Sequence, residues 1–322
     1  MSELLSGLNG GNVPALDLII LLTAVALLPS IVIMMTSFLR IVIVLSFTRN
    51  AIGVQQTPPN VVLTGISLFL TLYIMAPVIS DINTNAYQAY IQGEISQKEA
   101  LERAEIPLKK FMLRNTEKDT LDHFVEMSHT EIQENVEDYP MTVVTPAFMT
   151  SELKRGFMAG FLLYLPFLLI DVVVASTLMS MGMVMLPPTM VALPFKLLLF
   201  ITVNRLGAAV FYSDPELPVA GNPKIAQGKN RRDRIVTNAE VLAIMYQAFQ
   251  LAVKLCLPFL LISMLVGVLI AVFQAATQIN EQTMTFVPKL LAILALLGVF
   301  GSSMLVMLQE FVYQITDIIA RG

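Results

Sequence analysis

The sequence predicts an all-α, membrane-associated protein built of proline-kinked helical hairpins with a small helical soluble insert. The chain of 322 residues is 56% hydrophobic and only 14% charged, a composition typical of membrane proteins. Apolar runs close to the length that crosses a bilayer, about 20 residues, recur along the chain. Most of them contain an internal proline: Pro29, Pro77, Pro166, Pro194 and Pro258.

The apolar runs fall into about six segments. From Phe157 to Met190 the only charged side chain is Asp171, and the apolar character resumes around Lys196 after the pair Pro187–Pro188. Proline breaks leave backbone groups unsatisfied in lipid unless neighbouring protein supplies partners. We therefore expect these helices to pack in an assembly. The other segments are Leu18–Met35, Val61–Ile79, Leu255–Phe273 and Leu290–Leu308.

The stretch between Asp81 and Arg155 is different in composition, with fourteen acidic residues against eight Lys or Arg. This difference predicts a soluble insert. Within it, Thr116 and Asp119 have the spacing of a capping box, which predicts that a helix begins there. An earlier helix is predicted over Gln97–Glu105, ending before Pro107.

The second change in composition is Ser213–Arg234, which is rich in proline, glycine and charge and predicts a linker. Asn238–Phe273 and Phe286–Ile319 then form a predicted helical hairpin around the polar bend Gln274–Thr285. The predicted organisation is a first domain over 1–213 with its insert at about 81–155, a linker over 214–236 and a hairpin domain over 237–322.

The sequence carries no recognisable enzyme signature. Gly228–Lys229 is followed by Asn230 where a phosphate loop has Ser or Thr. His123 and His129 are six residues apart, so a helix does not place them together as metal ligands, and surface histidines are the better interpretation. We predict no catalytic residue, no metal, no cofactor and no nucleic-acid partner.

Asp171 is the one acid within the long apolar region. A carboxylate near the bilayer centre costs about 2.5–3.5 kcal/mol, so some group should face it. One hypothesis is a proton or ion relay in a proton-coupled small-molecule transporter. The other hypothesis is a hydrogen-bonded contact between helices. It is favoured because Asp171 is a single acid with no acidic partner along its helix.

The stretch 178–190, LMSMGMVMLPPTM, places methionine at every second position from Met179 to Met185. In an extended segment this spacing puts the side chains on one side, and Gly182 with the double proline weakens a regular helix. Two interpretations remain open. The methionines either fill an uneven core, or, because methionine is flexible and polarizable, line a deformable seal.

Longer motifs resemble a known family. Residues 30–213 resemble the flagellar export-gate family FliP, whose injectisome relative is SctR, and residues 237–322 resemble the small gate family FliQ. The chain thus resembles a FliP–FliQ fusion. The matching text is SFLRIVIVLSFTRNAIGVQQTPPN at 37–60, PAFMTSELKRGF at 146–157, LPFLLIDVVVASTLMSMGMVMLPPTMVALPFKLLLF at 165–200 and GVLIAVFQAATQINEQTMTFVPKLLAILALLGVFG at 267–301.

The resemblance implies a subunit that assembles with copies of itself and a FliR-like third component into a ring-like helical gate, beside FlhA and FlhB. Its role would be to form the pore through which unfolded secreted proteins leave the cytoplasm. The gate would belong to the export apparatus of the flagellar basal body in the bacterial inner membrane. Its assembled form would lie largely at the periplasmic side.

Charge placement predicts one contact between subunits, and the resemblance implies roles for two further groups of residues. Lys289, in an apolar helix after Pro288, needs a partner, and we expect Glu152 to supply it in an ion pair between subunits. The family has an unbroken methionine triplet where this chain has Met183, Val184 and Met185. The implied pore gasket is Met179, Met181, Met183 and Met185, and the implied cytoplasmic entrance loop is Gln274, Gln278, Asn280, Glu281 and Gln282.

Overall fold

The computed structural model describes residues 15–54, 56–128, 138–183, 185–203, 238–278 and 281–321. Within these residues the regular structure is entirely helical, which confirms the predicted all-α class. A π-helical turn at Asn83–Tyr87 separates α3 from α4. The helices are α1 Ala15–Met34, α2 Phe38–Ile52, α3 Asn60–Ile82, α4 Gln88–Ile91, α5 Gln97–Arg114, α6 Lys118–Met127, α7 Met141–Ser180, α8 Pro188–Thr202, α9 Asn238–Thr277 and α10 Gln282–Arg321.

Four helical stretches in the described part of the chain are long and apolar enough to cross a membrane. Helix α8 is apolar but shorter, with 15 residues, and α1 is an apolar helix of 20 residues. The membrane-associated character predicted from composition is therefore confirmed at the level of individual helices. The four stretches are Asn60–Ile91, Met141–Ser180, Ala239–Thr277 and Met284–Ala320.

The chain divides into two compact units, and the first combines Met1–Val42 with Thr64–Gly156. Its core contains an edge-to-face contact between Phe111 and Phe148, whose ring centroids are 5.9 Å apart. Both rings are buried, as aromatic pairs in a core usually are. Other fully buried side chains in this unit are Met112, Val144 and Ala147.

The second unit combines Ile43–Leu63 with Phe157–Gly322. Here α9 and α10 pack along each other as the predicted hairpin, and α10 also contacts α8. A hydrophobic cluster of Phe259, Ile293 and Leu296 is buried on the inner side of this hairpin. Val173 and Met181 pack against the same cluster, so the hairpin is joined to the end of α7.

The insert is helical as predicted, but its first long helix does not end before Pro107. Helix α5 runs from Gln97 to Arg114 with Pro107 inside it. An interior proline costs about 3 kcal/mol because it lacks the N–H of the helical hydrogen bond. The burial of Phe111 and Met112 beyond the proline offsets that cost, a tertiary effect that local sequence does not show.

The predicted capping box at Thr116 and Asp119 is also wrong. The N-cap of α6 is Glu117, and its side chain makes no capping hydrogen bond. The Thr116 hydroxyl instead donates to the carbonyl oxygen of Met112 at 2.7 Å, at the end of the preceding helix. Thr116 therefore closes α5 and does not open α6.

Close packing between α2 and α7 depends on Gly160. The rings of Phe47 and Phe157 meet edge to face with centroids 5.7 Å apart. A Cβ atom at Gly160 would lie 2.7 Å from Cγ of Phe47, which is closer than real carbon atoms approach. Only glycine fits between these two helices without a shift of the aromatic ring.

We expect Gly160→Ala to lower the free energy of unfolding by about 1–3 kcal/mol, the usual cost of overpacking. The measurement is thermal or denaturant unfolding of the detergent-solubilised chain, followed by circular dichroism because the chain has no tryptophan. The control is Gly65→Ala in α3, where no atom of the described residues lies within 4 Å of the added carbon. There the better helix propensity of alanine should raise the free energy of unfolding by about 0.5–1 kcal/mol. Equal effects of the two changes would contradict the packing described.

Candidate functional site

The methionine segment, residues 179–185, begins in the last turn of α7, which ends at Ser180. The amide of Met183 donates to the carbonyl oxygen of Leu178, and the amide of Gly182 donates to that of Met179, both at 3.0 Å. This pair of bonds, with Gly182 at φ +81°, is a Schellman motif. The chain therefore turns sharply after α7, so the described residues of the segment do not form an extended strand with all methionines on one side.

The methionine side chains have different environments. Met181 packs against the cluster of Phe259, Ile293 and Leu296. Met179 is 64% exposed and Met185 is 99% exposed, while Met183 is half-buried. Core filling therefore describes Met181, whereas Met179 and Met185 are available to groups outside the chain. The gasket role of the four methionines stays a prediction.

Asp171 has an ion-pair partner in α8, the helix that follows the methionine segment in the sequence. The ammonium of Lys196 in α8 lies 2.6 Å from Oδ2 of Asp171 in α7. The Lys196 side chain is 5% exposed and that of Asp171 is 22% exposed. Because the pair links α7 to α8, it holds together the two helices that the segment connects.

Lys196 has no role among the sequence-based predictions, although the sequence carries a usable signal for it. Asp171 and Lys196 are opposite charges, and no other charged residue occurs between Phe157 and Val203. Two opposite charges alone in an apolar hairpin reduce the cost of burial when they meet. The Oδ1 atom of Asp171 is buried and accepts no hydrogen bond from the described part of the chain.

Glu152 belongs to a buried polar network in the first unit. The Arg40 guanidinium binds the Glu152 carboxylate in a two-point ion pair, with Nε donating to Oε2 at 2.9 Å. The two side chains are 4% and 1% exposed. Arg40 also donates to Oδ1 of Asn115 at 3.4 Å. Such planar two-point pairing is characteristic of arginine and fixes relative orientation.

A second ion pair lies next to this network. Lys154 binds Oε2 of Glu117 at 2.6 Å, and the hydroxyl of Ser151 accepts the backbone N–H of Glu117 at 3.0 Å. These contacts tie the turn between α5 and α6 to helix α7. The motif SELK at 151–154 thus uses each of its polar side chains within the chain.

Lys289 does not need Glu152 as a partner within the chain. Its ammonium donates to the carbonyl oxygen of Ser180 at 3.1 Å, and the hydroxyl of Ser263 donates to the same oxygen at 2.9 Å. The pair between Glu152 and Lys289 across subunits stays a prediction. To form it, Glu152 would have to leave its buried contact with Arg40.

The polar bend between α9 and α10 is shorter than predicted, because α9 continues to Thr277 and α10 begins at Gln282. Gln278 adopts φ +58°, and the side-chain amide of Gln274 donates to the carbonyl oxygen of Glu281 at 3.0 Å. Gln278 and Glu281 are exposed. Asn280 and the side chain of Gln282 lie outside the described residues.

The described residues contain no group of three or more His, Cys, Asp or Glu side chains that could hold a metal ion. His123 is exposed and meets Phe124 edge to face with ring centroids 6.2 Å apart. His129 lies outside the described residues. The candidate functional groups among the described residues are therefore the methionine segment, the ion pairs and the polar bend.

Two family profiles match the sequence in consecutive parts. The profile described as FliP family matches residues 21–210. The profile described as bacterial export proteins, family 3, matches residues 240–313. The first match covers the insert, the Asp171–Lys196 hairpin and the methionine segment, and the second covers most of the α9–α10 hairpin.

Similar proteins are named flagellar biosynthetic protein FliP. That of Aquifex aeolicus is 49% identical over 198 residues, which are 61% of this chain and 83% of the relative. That of Bacillus subtilis is 50% identical over 187 residues, 58% of this chain and 85% of the relative. That of Caulobacter vibrioides is 50% identical over 188 residues, 58% of this chain and 71% of the relative.

We expect Glu152→Gln to lower the free energy of unfolding by about 3–5 kcal/mol, because it removes the carboxylate that the buried Arg40 guanidinium binds at two points. The control is Glu99→Gln, which breaks an exposed pair with Arg103 and should cost less than about 1 kcal/mol. The double change Arg40→Met with Glu152→Met should recover most of the loss, since neither buried charge remains. Circular dichroism of denaturant unfolding measures all three, and a double variant as unstable as Glu152→Gln would contradict the ion-pair explanation.

Proposed function

The chain belongs to the FliP family and carries a family 3 bacterial export segment at 240–313, and we propose that in the flagellar export gate its methionine segment closes the pore. Family membership makes the chain a component of the flagellar type III protein export gate. A transporter centred on Asp171 is not supported, and Lys196 already binds the Asp171 carboxylate.

The observation that carries the proposal is the exposure of Met185. This side chain is 99% exposed on an irregular turn between two apolar helices. Irregular backbone at membrane depth is stable only where it is buried in protein or lines a cavity. In a ring of copies, each chain would contribute Met179 and Met185 to one shared opening, where such backbone is tolerated.

Methionine suits a seal that must open for unfolded chains of varied sequence. Its side chain has three rotatable bonds and a polarizable sulfur, so it fills irregular gaps and repacks at low cost. A collar of such side chains can close on itself and can also contact a passing polypeptide of any shape. A polar collar would keep water in the closed opening and would leak small solutes.

Assembly with other subunits is supported by the apolar surface that single chains leave uncovered. Only 11% of the most apolar part of Met284–Ala320 and 22% of that of Ala239–Thr277 is buried within the chain, against 56% for Met141–Ser180. The first two stretches also contain Pro288 and Pro258, whose backbone gaps favour protein neighbours. We propose that copies of the chain and a FliR-like component cover these surfaces.

The polar bend is proposed to face the cytoplasm and to narrow the entrance of the pore. Gln274 and Glu281 are joined across the bend by a hydrogen bond, so the bend is compact. Gln278, which is exposed, would solvate the backbone of an extended substrate without a strong preference for sequence. Asn280 and Gln282 would act in the same way.

The further partners proposed are FlhA and FlhB, together with unfolded secreted proteins as the transported substrates. The location proposed is the inner membrane, with the assembled gate largely on its periplasmic side. The proposed domains are 1–213, a linker over 214–236 and the hairpin over 237–322. No catalytic step is assigned to the chain, and the energy for export would come from its partners.

We expect Met179→Ala combined with Met185→Ala to increase leakage of small solutes through the assembled gate. Both side chains are exposed, so the chain itself should fold normally. Lost contacts of about 1.4 kcal/mol in the closed collar would raise the open fraction about tenfold. The measurement is conductance of the purified gate in a planar bilayer. The control is Met127→Ala, an exposed methionine of the insert, and an unchanged barrier in the first variant would remove the gasket proposal.

We expect the gate to survive cleavage of its linker. A protease site placed at Gly228, which lies outside the described residues, would separate the two domains after assembly. Apolar packing of Val173 and Met181 on the hairpin cluster should keep the fragments together. Native mass measurement in detergent before and after protease decides the point, with the chain lacking the site as control; loss of the hairpin fragment would show that the covalent tether is required.

A further inference from the structure

We propose that the C-terminal hairpin positions the methionine segment by binding the carbonyl oxygen of Ser180, with Ser263 and Lys289 as the positioning residues. This oxygen lies at the last residue of α7, directly before Met181. The positioning can be tested by itself. Its consequence for closing a pore rests on the proposed function.

The end of α7 leaves its last carbonyl groups in need of partners, as every helix does. The Schellman motif provides for two of them, since Met183 and Gly182 donate to Leu178 and Met179. It does not provide for the carbonyl of Ser180. That carbonyl receives the Ser263 hydroxyl at 2.9 Å and the Lys289 ammonium at 3.1 Å, both from the hairpin.

Lys289 is suited to this end of the helix by its charge. The C-terminus of a helix carries partial negative charge, so a cation bound to its last carbonyl groups is stabilising. A hydrogen bond from a charged donor is also stronger than a neutral one. Removal of the ammonium should therefore weaken the end of α7 and the turn that follows it.

Gly267 provides the space through which Lys289 reaches Ser180. A Cβ atom at Gly267 would lie 3.1 Å from Cε and 3.3 Å from Nζ of Lys289. Those distances are tight enough to displace the lysine end by a few tenths of an ångström. The same hairpin contains Gly298, where an added Cβ would have no atom of the described residues within 4 Å.

Apolar contacts act at the same place. Met181, the residue after Ser180, packs against Phe259, Ile293 and Leu296 of the hairpin. The start of the turn is thus held at two points. Ser263 and Lys289 bind the carbonyl oxygen of Ser180, and the cluster packs against the side chain of Met181. Met185, four residues further on, is 99% exposed and is held by neither.

The positioning role predicts a local change in hydrogen exchange. In the full-length chain, Lys289→Met removes the ammonium and keeps an apolar side chain of similar length. We expect the amides of Gly182 and Met183 to exchange about tenfold faster, as for loss of one charge-assisted hydrogen bond. Amides in α8 should exchange at the rate of the unchanged protein.

Matched variants separate positioning from a general loss of structure. Gly267→Ala, which only displaces Lys289, should accelerate the same amides by a smaller factor. Lys254→Met, at an exposed lysine of α9, and Gly298→Ala should leave them unchanged. If Lys289→Met also accelerates exchange in α8, the comparison of Gly267→Ala with Gly298→Ala decides whether Lys289 positions the turn. Unchanged exchange of Gly182 and Met183 in both Lys289→Met and Gly267→Ala would overturn the proposal.

Conductance of the same variants distinguishes this inference from the proposed pore. Faster exchange with increased leakage supports both the positioning and the pore. Faster exchange with an unchanged barrier supports the positioning and contradicts the role of the segment in closing a pore. Increased leakage with unchanged exchange overturns the positioning by Lys289 and leaves the pore proposal in place.

Discussion

The structure depends on how backbone groups are satisfied where an apolar helix stops. Helix α7 ends at Ser180 within a long apolar stretch, Phe157–Met190, whose only charged residue is Asp171. In such surroundings water is not a dependable partner for free carbonyl groups. Gly182 allows the chain to turn back and satisfy two of them. The C-terminal hairpin satisfies the carbonyl of Ser180. An irregular methionine segment is possible here because these partners are present.

Two ion pairs show that charged groups within the apolar helices follow the same rule. Asp171 meets Lys196, and Arg40 meets Glu152. Buried pairs add little net stability compared with apolar residues, but breaking one is costly. We expect their main effect to be the exclusion of other registers of neighbouring helices. The Asp171–Lys196 pair in particular fixes how α7 and α8 lie on either side of the methionine turn.

The sequence predicted the features that depend on local composition and periodicity. The helical class and the apolar hairpin around Gln274–Thr285 followed from apolar runs. Features that depend on distant residues were not predicted. Helix α5 continues through Pro107 because Phe111 and Met112 are buried by other helices. The partner of Glu152 is 112 residues away in sequence, and no spacing rule indicates Arg40 over other cations.

The methionine segment was likewise predictable only in part. Its departure from regular helix was predictable from Gly182 and the double proline, but its shape was not. A period of two suggested an extended segment, whereas the helix end imposes a tight turn that separates Met181 from Met185 in environment. Local rules for side-chain direction apply within an element. These rules do not predict the backbone path at the end of a helix, because that path depends on which donors bind the free carbonyl groups.

The presence of both family segments in one chain has a physical consequence for such a helix end. The groups that bind the carbonyl of Ser180 belong to the export family 3 segment, and the carbonyl belongs to the FliP-family segment. One covalent chain supplies both in equal number. Docking of the hairpin then becomes an intramolecular event, governed by an effective concentration and not by the supply of a separate subunit. Covalent fusion therefore favours a helix end whose last carbonyl is occupied in every copy of the chain.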